Sequence, residues 1–292
     1  MSIYLTGASG FVGRNFISFI DNKIPVRSHV RDSGFFINEK TVIHLAGKAH
    51  DLKNTTNSSE YYKINTELTK NIFDSFLISD AKVFIILSSV KAVADSVDEL
   101  LTEKHIPDPK THYGKSKLLA EKYILSQQIP LGKRVYILRP CMIHGPGNKG
   151  NLNLLYKLVS KGFFWPLGSF NNKRSFCSID NLLFVINELI EREDIPSGVY
   201  NVSDDKAIST NEVISLIAQS QNKKTRILNI SKKIIFIFSK LGDKLNLPLN
   251  SERLQKLTES YMVSNLKIKD AIGKSFPIKS KQGLLKTFKG FR

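Results

Sequence analysis

The feature that most constrains the fold is a glycine-rich turn near the N-terminus, Thr6-Gly7-Ala8-Ser9-Gly10-Phe11-Val12-Gly13. The apolar run before it predicts a short buried strand, and the apolar spacing after it predicts a helix. A pyrophosphate suits this arrangement, because glycine allows a tight turn and close backbone approach, and a helix N-terminus offers unpaired N–H groups to an anion. The residues predicted to bind a dinucleotide are Gly7, Ser9, Gly10, Phe11, Val12 and Gly13. The alternative is a turn that needs glycine only for its geometry.

The length and composition indicate one globular unit without a membrane span. A chain of 292 residues is long enough for a nucleotide-binding domain and a smaller lobe. No apolar run approaches the roughly 18 residues that a membrane span needs. Cys141 and Cys177 are the two cysteines, so neither a disulfide framework nor a cysteine zinc site is predicted, and no metal site is expected. The first predicted strand begins at Ile3, which leaves no room for a signal peptide, and we expect a cytoplasmic protein.

The second predicted strand, residues 25–31, bears on the choice of cofactor. In a dinucleotide-binding sheet the end of this strand faces the adenosine ribose, where an acid indicates NAD and an arginine accommodates the 2′-phosphate of NADP. Arg31 stands at that place and Asp32 follows it. NADP(H) is therefore the favoured cofactor. NAD(H) is the alternative if Asp32 turns inward, and a solvated surface pair is the third interpretation.

The chain leaves little room for a full third strand. Only residues 32–40 separate the second strand from the next apolar run, Thr41 to Ala46. A segment of that length cannot hold a crossover helix and a strand, which need about a dozen residues or more. We therefore predict a doubly wound parallel sheet with a truncated third-strand edge. The adenine pocket at this edge should be open and lined by Phe35 or Phe36.

Candidate acid–base residues follow the next strand. Residues 81–87 predict a buried strand that places Ser88 and Ser89 at the carboxyl edge of the sheet. Tyr113 and Lys117 lie four residues apart in a predicted helix, so they share one helix face. An ammonium nearby lowers the pKa of an acid, which would bring the Tyr113 phenol towards acid–base chemistry near neutral pH. Ser89 could donate a second hydrogen bond to the same reacting oxygen.

These stretches together resemble the sugar-nucleotide epimerase/dehydratase family of extended short-chain dehydrogenases/reductases. The matching segments run from Met1 to about Leu182 in the family's order and read TGASGFVG, VIHLAG, YYKINTELTKNI with Asn65, LSSV, YGKSKLLAE, LRPCMIHGPG and KRSFCSIDNL. The resemblance implies a Rossmann fold, with Tyr113 as acid/base and Lys117 on the nicotinamide ribose. It also implies a substrate-polarising role for Ser89. The residues that it places beside the cofactor are Leu45, Ala46 and Gly47.

The resemblance further implies a substrate-binding lobe and a UDP-sugar substrate. Arg174 is expected to pair with the diphosphate of that substrate, and Asn151 and Asn153 are weaker candidates for the same nucleotide; for Arg174 a surface arginine is the alternative. We predict a Rossmann domain over 1–140, rejoined by 181–203, and a smaller C-terminal α/β substrate-binding lobe over 141–180 and 204–292. A helix predicted over 151–161 would turn Leu154, Leu155, Leu158 and Val159 inward.

Two departures from the family pattern leave the sugar open. Ala92-Val93-Ala94 replaces Val-Tyr-Gly after the serine strand, and His144 replaces the tyrosine of Tyr-Gly-Pro, both near the expected sugar pocket. Three functions compete. The first is NADPH-dependent reduction of a UDP-4-keto-6-deoxy sugar in surface polysaccharide precursor synthesis. For this function the sequence motifs most resemble those of 4-reductases that act on UDP-linked 6-deoxy-N-acetylhexosamines. The second is a UDP-glucose or UDP-N-acetylglucosamine 4-epimerase that retains NAD. The third is a non-catalytic NADP(H)-binding module, against which the intact Ser89, Tyr113 and Lys117 count.

The positive charge of the chain is concentrated at its C-terminal end. Residues 221–292 hold 17 Lys/Arg and 4 Asp/Glu, a net +13 of the whole chain's +17. Such asymmetry fits nucleic acid, a membrane surface or diphosphate substrates. No zinc-finger or RNA-recognition signature is present, so no nucleic-acid partner is predicted. The run from Ile234 to Phe238, flanked by Lys232, Lys233 and Lys240, could associate weakly with an anionic bilayer. We prefer a helix buried within a lysine-rich lobe, and a homodimer is a further expectation left open.

Overall fold

The protein is described by a computed structural model over residues 1–21, 23–30, 34–48, 57–148, 150–245 and 250–291. Arg31 and Asp32, on which the choice between NADP(H) and NAD(H) depends, lie outside these residues, and so does the side chain of Asn151.

A six-stranded parallel sheet forms the centre of the fold. Its strands stand in the order β2-β1-β3-β4-β5-β8, and a separate two-stranded parallel sheet pairs β6 with β7. The strands are β1 (Ile3–Thr6), β2 (Val26–Ser28), β3 (Thr41–His44), β4 (Val83–Leu87), β5 (Arg134–Pro140), β6 (Met142–His144), β7 (Phe176–Ser178) and β8 (Gly198–Val202). The predicted α/β doubly wound parallel sheet is confirmed.

Helices cover both faces of the sheet and build the C-terminal part of the chain. They are α1 (Phe11–Ile20), α2 (Ser58–Tyr61), α3 (Leu68–Ile78), α4 (His112–Ser126), α5 (Asn151–Ser160), α6 (Ile179–Glu191), α7 (Thr210–Ser220), α8 (Lys232–Leu245), α9 (Ser251–Thr258), α10 (Leu266–Ile272) and α11 (Ser280–Lys289). A π-helical segment, Tyr62–Glu67, joins α2 to α3. No helix of the described residues is long and apolar enough to cross a membrane.

The sheet is short at the β2 edge, as predicted. β2 pairs with β1 on one side, and the described residues 34–40 between β2 and β3 add no strand beyond it. This connection instead closes over the edge: Glu39 accepts a hydrogen bond of 2.8 Å from Arg27, and Phe35 stacks on His29 with 4.9 Å between ring centroids. Phe36 is 77% exposed. An open adenine pocket at this edge remains a prediction.

Successive strand residues serve two different cores, because side chains alternate across a sheet. On one face Leu5, Ile43 and Ile85 pack with Phe16 of α1 and Ile186 of α6. The opposite face belongs to α3 and α4. There the buried residues are Tyr4, Val42, Phe84, Ile86, Ile72, Phe73, Phe76 and Ile124. The sheet is thus buried on both sides, as parallel sheets require.

The C-terminal part has a third core, around Trp165, Ile217 and Phe288. A capping box of Ser209 and Glu212 opens α7, and β8 pairs with β5. The assignment of residues 141–180 and 204–292 to a substrate-binding lobe remains a prediction.

Two expectations about the helices of this part are wrong. In α5, Leu154 and Leu158 are 64% and 38% exposed, against the prediction, and Leu152 is buried in their place. Val159 is buried and Leu155 packs against the third core, as predicted. In α8, only Ile235, Ser239 and Gly242 are buried. The apolar residues around them are largely exposed, so the expectation of a buried α8 fails.

Candidate active site

The glycine turn packs directly against the end of the neighbouring strand. Gly7 has a φ of +73°, and a Cβ there would lie 2.5 Å from the backbone nitrogen of Ala46. A Cβ on Gly13 would meet the Gly7 carbonyl oxygen. No side chain fits at either position, so these glycines are required by close packing as well as by the turn.

The same turn leaves the start of α1 open to an anion. Gly10 is the N-cap of α1, and no described side chain caps the helix or adds an acid to its first turn. The first N–H groups of α1 therefore have no partner within the helix and carry its partial positive charge. Arg14 lies one turn in and donates to the Ser9 carbonyl. Gly7, Ser9, Gly10, Phe11, Val12 and Gly13 thus fit a dinucleotide pyrophosphate.

Asn65 ties the loop after β3 to the helix α4. Its amide oxygen accepts from the Lys48 backbone nitrogen at 2.8 Å, and its amide nitrogen donates to the Ser116 hydroxyl at 3.0 Å. A Cβ on Gly47 would lie 3.1 Å from both the Asn65 amide oxygen and the Lys117 ammonium. Asn65 is thus a buried polar residue whose amide is hydrogen-bonded, and Gly47 lies beside Lys117, while Leu45 and Ala46 pack against Gly7.

Ser89, Tyr113 and Lys117 meet at the carboxyl end of β4. Ser89 accepts from the Lys91 backbone nitrogen at 3.2 Å, which opens a 3₁₀ turn over Val90–Ala92, and its hydroxyl is hydrogen-bonded to the Tyr113 phenol. Thr111 caps α4 by accepting from the Gly114 nitrogen at 3.2 Å, so Tyr113 falls in the first turn. One turn later, the Lys117 ammonium donates to the Leu87 carbonyl at 2.9 Å.

The pKa values of this group depend chiefly on burial. Burial lowers the pKa of Lys117 to about 8, although the Glu121 carboxylate opposes that effect. Lys117 is therefore mostly charged at pH 7. Burial also raises the pKa of Tyr113, and the hydrogen bond from Ser89 only partly offsets this. The expected lowering of the Tyr113 pKa by Lys117 is thus not found: desolvation has the largest effect on this pKa, and the Lys117 ammonium donates to the Leu87 carbonyl.

A buried ion pair behind Lys117 was missed by sequence reasoning. Glu121 and Arg139 are 0% and 5% exposed, and the guanidinium donates to the carboxylate through Nε at 3.0 and 3.1 Å and through Nη2 at 2.5 Å. The Ser88 hydroxyl donates to the same carboxylate. Glu121 follows Lys117 by four residues, as Lys117 follows Tyr113, so the same helical spacing could have placed Glu121 on the face of the candidate site.

Two cations lie close to the turn that follows Ser89: Lys91 is within it, and Arg174 is near enough to affect the pKa of Lys91. Arg174 donates through Nε to the Glu259 carbonyl at 3.1 Å, and its pKa is lowered by burial. The Lys91 ammonium stands 4.3 Å from the centroid of the Tyr261 ring and donates to the Asp95 carbonyl at 2.6 Å. Burial lowers the pKa of Lys91, and the nearby charge of Arg174 lowers it further. Lys91 and Tyr261 did not emerge from the sequence.

The other predicted substrate residues lie elsewhere. Asn153 donates to the Asn148 carbonyl at 2.5 Å and lines a surface cleft of about 500 Å³ with Lys157 and Phe291. None of the described residues that line this cleft is Ser89, Tyr113 or Arg174. The imidazole of His144 is completely buried and hydrogen-bonded to the Thr287 hydroxyl at 2.8 Å, so it does not line an open sugar pocket.

Metal ligands do not cluster in the described part of the chain. No group of three or more His, Cys, Asp or Glu side chains there could hold a metal ion. Cys141 and Cys177 are both buried, and burial raises the pKa of each thiol.

Comparison with known proteins identifies a family. A UDP-glucose 4-epimerase of Vibrio cholerae is 31% identical over 320 aligned positions, covering 99% of this chain and 95% of the relative. An N-acetyl-alpha-D-glucosaminyl-diphospho-ditrans,octacis-undecaprenol 4-epimerase of Escherichia coli O157:H7 is 28% identical, covering 92% and 84%. The structure of MoeE5 in complex with UDP-glucuronic acid and NAD superposes with a TM-score of 0.77 at 19% identity, covering 99% and 98%. Residues 3–203 match the NAD dependent epimerase/dehydratase family, and the chain belongs to it.

Proposed function

We propose that this enzyme transfers hydride to and from C4 of a hexose that is linked through a diphosphate to uridine. The observation that carries the proposal is the meeting of Ser89, Tyr113 and Lys117 at the sheet edge, beside a glycine turn that fits a pyrophosphate. A bound nicotinamide would supply or accept the hydride. The protein would then have to move one proton at the C4 oxygen and hold that oxygen in place.

Each of the three residues has a distinct task in that chemistry. The Tyr113 phenol gives a proton to the C4 oxygen or takes one from it. Ser89, already hydrogen-bonded to Tyr113, holds the same oxygen. Lys117, charged at neutral pH, binds the nicotinamide ribose and stabilises the tyrosinate. An oxidised nicotinamide would add a second positive charge near the phenol and oppose the effect of burial on its pKa.

Of the two reactions at C4, we place 4-epimerisation with retained NAD first. The names of the relatives from Vibrio cholerae and Escherichia coli both describe 4-epimerases, and MoeE5 holds NAD. NADPH-dependent reduction of a UDP-4-keto-6-deoxy sugar is second. It is supported by Arg31 and by the truncated sheet edge, which suits a cofactor that leaves after every cycle.

We assign the substrate diphosphate to Arg174. Its guanidinium side chain is 25% exposed. Lys91, two residues after Ser89, adds a second positive charge close by. An incoming diphosphate would compete with Glu259, whose carboxylate is 4.0 Å from Nη2 of Arg174. Asn153, which donates to the Asn148 carbonyl, is left out of this assignment.

The test is to identify the bound cofactor and the product together. Purified protein is denatured, and the released dinucleotide is identified by mass spectrometry. The intact protein is then incubated with UDP-glucose or UDP-N-acetylglucosamine without added cofactor, and with a UDP-4-keto-6-deoxy sugar plus NADPH. Co-purified NAD and conversion to the 4-epimer are expected. If only the keto-sugar reacts, with stoichiometric oxidation of NADPH, the reductase is favoured. Dinucleotide binding without turnover of any substrate would favour a non-catalytic module.

A further inference from the structure

The helix α8 carries an exposed apolar stripe, formed by Ile234, Ile237, Phe238, Leu241 and Leu245. These side chains are between 45% and 66% exposed. Their spacing places them on one arc of roughly 100° of the helix, at 3.6 residues per turn. The buried residues Ile235, Ser239 and Gly242 hold a different face of α8 against the protein. The stripe is therefore a second apolar face that the described fold does not cover.

A row of lysines borders this stripe. Lys233, Lys240 and Lys244 recur at the spacing that places them on one side of the helix, next to Ile237. All three are exposed, and no carboxylate among the described residues pairs with them. Asp243 is the one acid of α8, and it accepts a hydrogen bond of 2.9 Å from the Ser251 nitrogen at the start of α9. The surface beside the stripe is consequently positive.

The remaining aromatic residue of α8 behaves differently. Phe236 meets Phe170 with 6.0 Å between ring centroids, and the Lys232 ammonium lies 5.5 Å from the centre of the same Phe170 ring. These contacts bind that side of α8 to the rest of the protein. The stripe and its lysine row are thus what α8 presents outwards.

The combination favours a lipid surface over a protein partner. The cores of protein interfaces are depleted in lysine, whereas a helix with an apolar face bordered by lysines suits the boundary between lipid headgroups and acyl chains. The net charge of +13 over residues 221–292 complements an anionic surface. We propose that α8 docks this protein onto an anionic bilayer, with the stripe inserted and Lys233, Lys240 and Lys244 among the headgroups.

The docked helix lies in the plane of the membrane. Its 14 residues span about 21 Å, at 1.5 Å per residue. This length is too short to cross the roughly 30 Å hydrocarbon core of a bilayer, so the helix would contact the membrane at its surface. The proposal concerns a face on which none of the residues assigned to the C4 chemistry lies, so it stands or falls independently of the proposed function.

The first test measures binding of the whole protein to vesicles. Sedimentation is compared between vesicles of phosphatidylglycerol and phosphatidylcholine, 3:7, and vesicles of phosphatidylcholine alone. The double variant Ile237→Ser/Leu241→Ser should bind the anionic vesicles at least about tenfold more weakly, because it removes inserted apolar surface. Ile106→Ser is the matched control, since Ile106 is 90% exposed in a different segment, and it should bind as the wild type does.

The second test concerns the lysine row. Lys240→Gln and Lys244→Gln should each weaken binding to the anionic vesicles by about fivefold, the effect of one basic residue at such a surface. Raising the salt concentration should weaken the binding of the wild type further. Lys104→Gln, at an exposed lysine near Ile106, is the control and should leave binding unchanged.

Several outcomes would overturn the proposal. Equal binding to both vesicle types, no binding to either, or full binding by the double variant would each do so. A wild-type dimer that becomes a monomer in the double variant, without vesicle binding, would show that a second copy covers the stripe. Unchanged thermal unfolding of the variants establishes that they remain folded.

Discussion

The helices α4 and α8 reverse the usual relation between polarity and burial. In α4, Ser116, Lys117 and Glu121 are buried, while Leu119 and Leu125 are 46% and 59% exposed. In α8, an apolar sequence leaves most of its large side chains at the surface. Each helix therefore breaks the pattern that hydrophobic burial alone would produce.

The two helices carry different energetic penalties: α4 buries polar groups, and α8 exposes apolar side chains to water. Buried polar groups in α4 require partners, and Glu121 finds them in Arg139 and Ser88, while Lys117 finds the Leu87 carbonyl. This network holds acid–base groups in fixed positions. The apolar stripe of α8 instead stays between 45% and 66% exposed, and the proposed contact with a bilayer would cover it.

The largest effect that the comparison predicts is on stability in α4. Glu121→Ala leaves Arg139 charged, buried and unpaired, which should lower the free energy of unfolding by about 3–5 kcal/mol. Chemical denaturation followed by circular dichroism measures it. Glu252→Ala removes an exposed partner of Lys256 and is the control, for which no resolvable change is expected. A Glu121→Ala protein as stable as the wild type would show that the buried pair contributes nothing.

The next effect is on turnover. Tyr113→Phe should keep the fold but lower turnover at least about a hundredfold, because the phenol proton is no longer available to the C4 oxygen. Steady-state assay of the substrate identified above measures it. Tyr123→Phe is matched on the same helix, where that hydroxyl donates to Asp74 at 2.6 Å, and it should retain turnover. Similar activity of both variants would remove Tyr113 from the chemistry.

A smaller effect concerns pH, through the buried Lys117. Below pH 8 this lysine is charged in both the folded and the unfolded protein, so the cost of its burial is fully present. As the pH rises from 8 towards the unfolded value near 10.5, only the unfolded state keeps the proton, and the wild type gains stability. Lys117→Met lacks the buried ammonium, so we expect it to be more stable than the wild type at pH 8. This difference in unfolding free energy should shrink by roughly 2 kcal/mol between pH 8 and pH 9.5.

Denaturation at both pH values measures that change in advantage. Lys122→Met is the control, since Lys122 is exposed on the same helix and should show no pH-dependent difference. A constant difference between Lys117→Met and the wild type would mean that the Lys117 ammonium is not desolvated.

The smallest effect belongs to α8. Phe238→Ser removes an exposed ring and should change the free energy of unfolding by no more than about 0.5 kcal/mol. Ile235→Ala, on the buried face of the same helix, should cost about 2–4 kcal/mol. Thermal unfolding of the two variants measures the contrast. Equal losses would show that the stripe is packed within the protein.

The local patterns of the sequence determined the sheet and the grouping of the candidate site. The glycine turn, the short segment before β3 and the four-residue spacing of Tyr113 and Lys117 are all short-range features, and each has one geometric consequence. The parallel sheet, its truncated edge and the meeting of Ser89 with Tyr113 followed from them. The roles of these residues remain predictions.

The tertiary structure alone decided what is buried and what meets across the chain. Burial raises the pKa of Tyr113, whereas the local spacing predicted a decrease. The packing of α4 on β5 brings Glu121 and Arg139 together as an ion pair. The Tyr261 hydroxyl reaches the Ala94 carbonyl at 2.7 Å, although 167 residues separate them, and no local pattern encodes such a contact. The exposure of α8 is of the same kind. A helical pattern specifies which residues share a face, but only the packing of distant segments decides whether anything covers it.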